Sequence, residues 1–194
     1  MRSNDDLVVR SKETLFLGQI EYSMLTDANA EDRSNAVIQS VRFHQNGQLL
    51  LTAGLDKKLR FFHIDGKRNP KIQSVFIESF SIQKASFFLD GSMEIATGSR
   101  KFFYSFDVVK GALERINCLI GREERSLEIF EVSPDSSMIA FLGNDGYILL
   151  VSTKMKQVIG TLKMNGTSRA LSFADDGRQL LSSSRDGQVY HWDI

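Results

Sequence analysis

Four stretches of this 194-residue chain share one internal ruler, and that repeat limits the possible folds more than any other feature. They are "VIQSVRFHQNGQLLLTAGLDKKLRFF", "FSIQKASFFLDGSMEIATGSRKFFYSFD", "RSLEIFEVSPDSSMIAFLGNDGYILLVS" and "TSRALSFADDGRQLLSSSRDGQVYHWD". In each, an apolar residue before a turn (Phe43, Phe87, Val132, Phe173) is followed 19 positions later by a second one (Phe62, Phe106, Val151, Trp192). Asp56, Asp145 and Asp186 stand 13 positions after their own first anchor, and Arg100 holds that place in the second unit. Successive units are offset by 44, 45 and 41 residues, so length varies outside the ruled segment, as it does in loops. Within the last unit "ALSF" alternates, "ADDG" turns, "QLLSSS" forms a second strand, "RDG" turns again and "QVYHWDI" forms a third. A fourth apolar stretch, "IQSVFI", "ERINCLI" or "QVIGTLK", follows each of the first three units. Four short antiparallel strands in roughly 40–45 residues make one propeller blade. The expectation is an all-β propeller whose four visible blades occupy 37–194, after a polar tail at 1–18 and an outer strand with linker at 19–36.

Composition narrows the partners. With 24 basic and 24 acidic residues the formal net charge is zero, so no global field draws the chain to nucleic acid or membrane, and any such contact must be local. Cys118 is the single cysteine, which rules out a disulfide within the chain and a cysteine-cluster metal site and fits a reducing compartment. "MRSNDDLVVR" lacks the apolar core of a signal peptide, and no apolar run approaches the roughly 18 residues of a membrane span, so no membrane contact is expected. The sequon at Asn165 then reads as an unmodified turn.

The repeat resembles the WD-repeat β-propeller family over residues 37–194, and Trp192-Asp193 is the namesake dipeptide. In that family a turn aspartate, a second-strand Ser or Thr, the tryptophan and a histidine before the first strand form a buried hydrogen-bonded set. Asp186, Ser182 and Trp192 match it by position, as do Asp56 and Thr52 with Phe62 in place of tryptophan, and Asp145 matches the turn position of the third unit. The resemblance therefore implies a buried carboxylate at Asp186. No histidine occupies its place in any unit, so the blades are degenerate. Stretches outside the signature, "AGLDKKLRFFHIDGKRNPKIQSV", "FEVSPDSSMIAFLGNDGYILLVSTKMKQVIGTLKMNG" and "DAN" at 27–29, resemble the U3 small nucleolar RNA-associated protein 18 family. That resemblance implies a non-catalytic scaffold in the nucleus and nucleolus. Its partners would be other WD-repeat proteins of the small-subunit processome, with U3 small nucleolar RNA and pre-ribosomal RNA, and it would have no small-molecule substrate. The alternative is a WD-repeat adaptor of another assembly, such as a ubiquitin ligase or a chromatin complex.

Lys57, Lys58, Arg60, Lys67, Arg68 and Lys71 face only Asp56 and Asp65 within residues 56–71. Two readings stay open: phosphate contacts to RNA, or solvated hairpin residues that keep a β-edge soluble. His44, His63 and His191 fit no zinc spacing, so neither a metal nor a cofactor is expected. Ser182-Ser183-Ser184 lacks a Gly-x-Ser-x-Gly elbow and sits in strand register. Asp135, Asp145, Asp175 and Asp176 lie in repeated turns, where aspartate bonds the backbone. No catalytic residue is assigned. Because the resemblance implies about seven blades, the chain reads as a truncated form whose four blades make an open partial ring, with a Gln19–Leu25 strand either unpaired or at the edge of the first blade.

Overall fold

The computed structural model describes Gly18, Tyr22 and residues 24–88, 91–119, 124–174 and 177–194, and these contain fifteen strands. Blade 1 consists of β1 (Ile38–Phe43), β2 (Leu49–Gly54), β3 (Lys58–His63) and β4 (Lys71–Phe76). Blade 2 consists of β5 (Ile82–Phe87), β6 (Met93–Gly98), β7 (Phe103–Asp107) and β8 (Ala112–Ile116). Blade 3 consists of β9 (Phe130–Val132), β10 (Met138–Leu142), β11 (Tyr147–Ser152) and β12 (Val158–Lys163). Blade 4 has three strands, β13 (Ser168–Phe173), β14 (Gln179–Ser184) and β15 (Val189–Asp193). Each blade is an antiparallel meander with its strands in chain order. The architecture is the expected all-β propeller.

The 19-residue ruler is a register. In every blade the first anchor pairs with the residue seven positions on: Phe43 with Leu50, Phe87 with Glu94, Val132 with Ile139, Phe173 with Leu180. That same residue pairs with the second anchor: Leu50 with Phe62, Glu94 with Phe106, Ile139 with Val151, Leu180 with Trp192. A side chain points to one face or the other with a period of two, so slipping any strand by one residue would reverse its faces. The turn between the first two strands adds a second constraint. Four positions after the first anchor the backbone is left-handed in every blade, at Gly47 (φ 68°), Gly91 (67°), Ser136 (57°) and Gly177 (71°).

The core lies between blades. One cluster packs Leu51, Leu59 and Phe61 of blade 1 against Ala85, Ala96 and Phe106 of blade 2. A second joins Ile95 and Phe103 to Phe130, Ile139 and Phe141. A third joins Ala140, Ile148 and Leu150 to Leu171 and Leu180, with Trp192 packed against it. Each blade thus offers a leading face to its successor and a trailing face to its predecessor, as repeat architectures do. Cys118 is buried in the second cluster, where loss of solvent pushes its thiol up to about 11.

Among the described residues the leading face of blade 4 has no such cover. Leu181 is 41% and Val189 69% exposed, whereas the equivalent Leu51 and Leu59 of blade 1, and Ala140 and Ile148 of blade 3, are fully buried. The expected outer strand at Gln19–Leu25 lies mostly outside the described residues, and Tyr22, Met24 and Leu25 are exposed and outside any strand.

Candidate functional site

The basic hairpin separates into a half-buried pair, Lys57 and Lys58, an exposed pair, Lys67 and Arg68, and two cations held in ion pairs, Arg60 and Lys71. Lys57 and Lys58 stand where β3 begins, and Lys67 and Arg68 lie in the loop after it ends. The intervening strand, Lys58–His63, spans roughly 17 Å at about 3.3 Å per residue, so the six cations do not form one patch. Lys57 is held at φ 64°, where blades 3 and 4 carry Gly146 and Gly187 at the equivalent turn position. A lysine there costs on the order of 1 kcal/mol relative to glycine.

Arg60 corrects the sequence reading. Its side chain is only 3% exposed, 2.5 Å from Asp56 and 3.1 Å from Asp32, so it is an internal cation and not a contact for RNA or a partner. Burial disfavours its charge, but the hydrogen bond to Asp56 and the ion pair with Asp32 outweigh that and raise its pKa. Asp56 also accepts from the Ser34 hydroxyl, and its pKa falls below the ordinary value despite burial, because of Arg60 and Ser34. Lys71 is likewise committed: its Nζ lies 2.9 Å from Asp32, and that hydrogen bond is the leading cause of the lowered Asp32 pKa.

Lys67 and Arg68 are presented differently. The Asp65 carboxylate accepts the backbone N–H groups of Lys67, Arg68 and Asn69 at 2.8, 2.8 and 2.9 Å. These three bonds, that from Asn69 foremost, lower its pKa to about 2. Asn69 in turn accepts the N–H groups of Asp65 and Gly66 through Oδ1 and donates through Nδ2 to the Thr26 carbonyl. The backbone of "DGKRN" is therefore fixed by its own side chains while the Lys67 and Arg68 side chains point into solvent.

The matched signature residues do not close one network. In blade 4 the Trp192 indole N–H donates to Ser182 Oγ at 2.8 Å, and the Ser182 hydroxyl donates to the sulfur of Met164. Asp186 stands apart at the surface, bonded by the Ser184 hydroxyl, which is the main cause of its lowered pKa. The expected burial of Asp186 is thus corrected: Ser184 is buried but Arg185, Asp186, Gly187 and Gln188 face solvent, and the aspartate orders only its own turn. Asp193 is exposed after Trp192. Phe62 is fully buried and Thr52 nearly so. Asp145 is exposed at φ 53° within the short 3-10 turn Asn144–Gly146, and its carbonyl accepts from Lys163 Nζ. Asp135 bonds Ser133 and Ser137, while Asp175 and Asp176 lie outside the described residues. Among the described residues no group of three His, Cys, Asp or Glu is placed to hold a metal ion.

Comparison with known proteins places this arrangement. A family model for the WD domain, G-beta repeat, matches residues 30–63 and 156–193. Across its whole length the chain is 63% identical to the U3 small nucleolar RNA-associated protein 18 homolog of Arabidopsis thaliana. The chain is a WD-repeat protein of that family. It is 39% identical over 96% of its length to the human homolog and 32% identical over its whole length to the probable protein of Schizosaccharomyces pombe. It spans only about a third of each relative, 36%, 34% and 38% respectively.

Within the WD repeat, Met164 takes the acceptor place that the family pattern gives to histidine, which is how Trp192 and Ser182 stay satisfied without one. Sequence reading missed Met164 because methionine accepts hydrogen bonds weakly and announces no such role. It also missed Asp32 and Ser34, which reach blade 1 from ahead of the first repeat, and Glu124, whose carboxylate accepts the Asn144 N–H at 2.6 Å. Asp32 and Ser34 stand 24 and 22 positions from Asp56, a separation that no motif spacing reports.

Proposed function

We propose that this chain is a non-catalytic interaction platform within the U3 small nucleolar ribonucleoprotein and small-subunit processome, acting in nucleolar pre-18S ribosomal RNA processing. The supporting observation is the 63% identity over the whole chain to a relative named for association with U3 small nucleolar RNA. Propeller surfaces serve binding more often than chemistry, and function resides in particular surface groups. The groups assigned to contact are Lys57, Lys58, Lys67 and Arg68, of which Lys67 and Arg68 sit on a loop ordered before any partner arrives. A preordered loop spends less conformational entropy on binding. The partners are other WD-repeat proteins of the processome, with U3 and pre-ribosomal RNA touched directly or through them.

The test is affinity purification of the tagged chain from nuclear extract, with sequencing of bound RNA and identification of bound proteins. Enrichment of U3 RNA and processome proteins is expected, and Lys67→Glu with Arg68→Glu should lower it. Where the contact is to phosphate, the double variant should also flatten the salt dependence, because fewer counterions are released. Recovery of a ubiquitin-ligase or chromatin complex without U3 would replace this reading with the adaptor alternative.

A further inference from the structure

The second and third blades enclose a cleft that no part of the family signature explains. It has a volume of about 290 Å³ and a floor of Phe88, Ile95, Phe103, Ile116 and Ile139. Its origin is a single register position. Eighteen residues after the first anchor, blade 1 fills its leading face with buried Phe61 and blade 3 with buried Leu150, but blade 2 has Ser105 there. A bulky apolar side chain is thus missing from an otherwise regular interface. The replacement is also chemically mismatched, because Ser105 is 3% exposed and its hydroxyl has no hydrogen-bond partner. Buried hydroxyls are ordinarily paired, so an orphan in the wall of a cleft marks a place where a ligand that settles into the space can supply what the chain omits.

The mouth is basic. Lys154 and Lys156 border it from the β11–β12 turn, together with Ser152 and Thr153. Lys156 pairs with Glu114 of β8, while Lys154 is exposed and has no ion pair among the described residues. Met155 between them is 60% exposed, which extends the apolar surface out of the cleft. The site lies on blades 2 and 3, away from the hairpin loop of blade 1 that carries Lys67 and Arg68.

We propose that this cleft binds a short acidic peptide segment of a partner protein, taking one phenylalanine- or leucine-sized side chain into the space left by Ser105. The anchor restores the packing that Phe61 and Leu150 give the other interfaces. A backbone amide of the peptide donates to Ser105 Oγ or a carbonyl accepts from it. Acidic residues flanking the anchor meet Lys154 first, since Lys156 is shared with Glu114. An apolar anchor seated in a desolvated pocket with a charged rim is the usual division between affinity and specificity.

The experiment uses the 194-residue chain and a fluorescein-labelled peptide of sequence Asp-Asp-Phe-Asp-Asp, read by fluorescence anisotropy. Saturable binding is expected, weakening as salt rises. Ser105→Phe and Ser105→Leu fill the cleft, and either should reduce affinity by about tenfold or more. Thermal melting separates a filled cleft from a damaged fold, because a filling variant melts at or above the parent temperature. Lys154→Glu leaves the cleft intact and should lower affinity several-fold while reducing the salt dependence. A peptide with serine in place of phenylalanine should bind far less. Absence of binding at about 1 mM peptide overturns the proposal. So does equal binding by a filling variant that melts like the parent, or equal binding of the serine peptide.

Discussion

Two internal ionisable residues give this protein opposite responses to pH. Arg60 is buried between Asp32 and Asp56, and both carboxylates have pKa values held below the ordinary range. A depressed carboxylate stabilises the fold above its unfolded pKa, near 3.9, and that stability is lost as pH falls through the folded value. Asp56→Ala leaves Arg60 half compensated, and a buried cation that loses a partner costs about 3 kcal/mol. The expected result is a lowered urea midpoint at pH 7 whose difference from the parent narrows at pH 3. Glu94 works the other way. It is fully buried between Phe87 and Phe106 on its neighbouring strands, neither carboxylate oxygen has a partner, and burial raises its pKa well above 4.5. The folded state therefore holds a proton that the unfolded state releases once pH passes about 4.5, so this residue's contribution declines as pH rises toward its folded pKa. The equivalent residues are Leu50, Ile139 and Leu180, so Glu94→Leu restores the pattern of the other blades. It should add about 1–3 kcal/mol at pH 7, the usual cost of an unsatisfied buried polar group, and remove that part of the pH dependence. A variant no more stable than the parent at pH 7 would count against this account.

At the scale of the element, the strands were legible and the polar contacts were not. The 19-residue spacing of the anchors determined three strands per unit, because anchors must pair across the sheet and the side-chain period is two. Burial of Asp186 was not readable, since the same Asp-Gly turn serves equally at the surface and inside, and in this chain Ser184 binds it at the surface. Arg60 misled for the related reason that its partner Asp32 comes from ahead of the repeat. The first turn of each blade supports a graded prediction. A left-handed residue is required four positions after the anchor, which Gly47 and Gly91 meet freely and Ser136 meets at a steric cost. Ser136→Gly should gain roughly 0.5 kcal/mol, the strain relieved less the added freedom of the unfolded chain. Gly47→Ala should lose about 1 kcal/mol, all of it backbone strain, because a Cβ there meets nothing within 4 Å. Gly91→Ala should lose more, since its Cβ would lie 1.6 Å from His44 Nε2 and displace a ring packed edge-on to Phe87. Chemical denaturation of the three variants checks the order; equal effects would remove the turn argument.

For the whole molecule, what matters is where the interblade pattern stops. The interfaces from blade 1 to blade 4 repeat one arrangement of leading against trailing face, each with its apolar cluster. The leading face of blade 4 carries the same positions without cover, Leu181 and Val189 among them. Among the described residues its third strand, β15, also has no fourth strand of the kind that β3, β7 and β11 each pair with, so an apolar face and a backbone edge stand side by side. Exposed edges and apolar patches recruit further strands, and burying two aliphatic side chains contributes about 3 kcal/mol or more. The 194-residue chain should therefore self-associate as its concentration rises, through blade 4. Size-exclusion chromatography with light scattering would show the mean mass climbing with loading. Leu181→Ser with Val189→Ser should suppress that rise while leaving the melting temperature close to the parent's, because both residues are already in solvent when the chain is alone. A parent chain that stays a monomer at every concentration and melts in one sharp transition would mean that blade 4 is covered in solution, and closure of the four blades on one another would then replace the open arrangement.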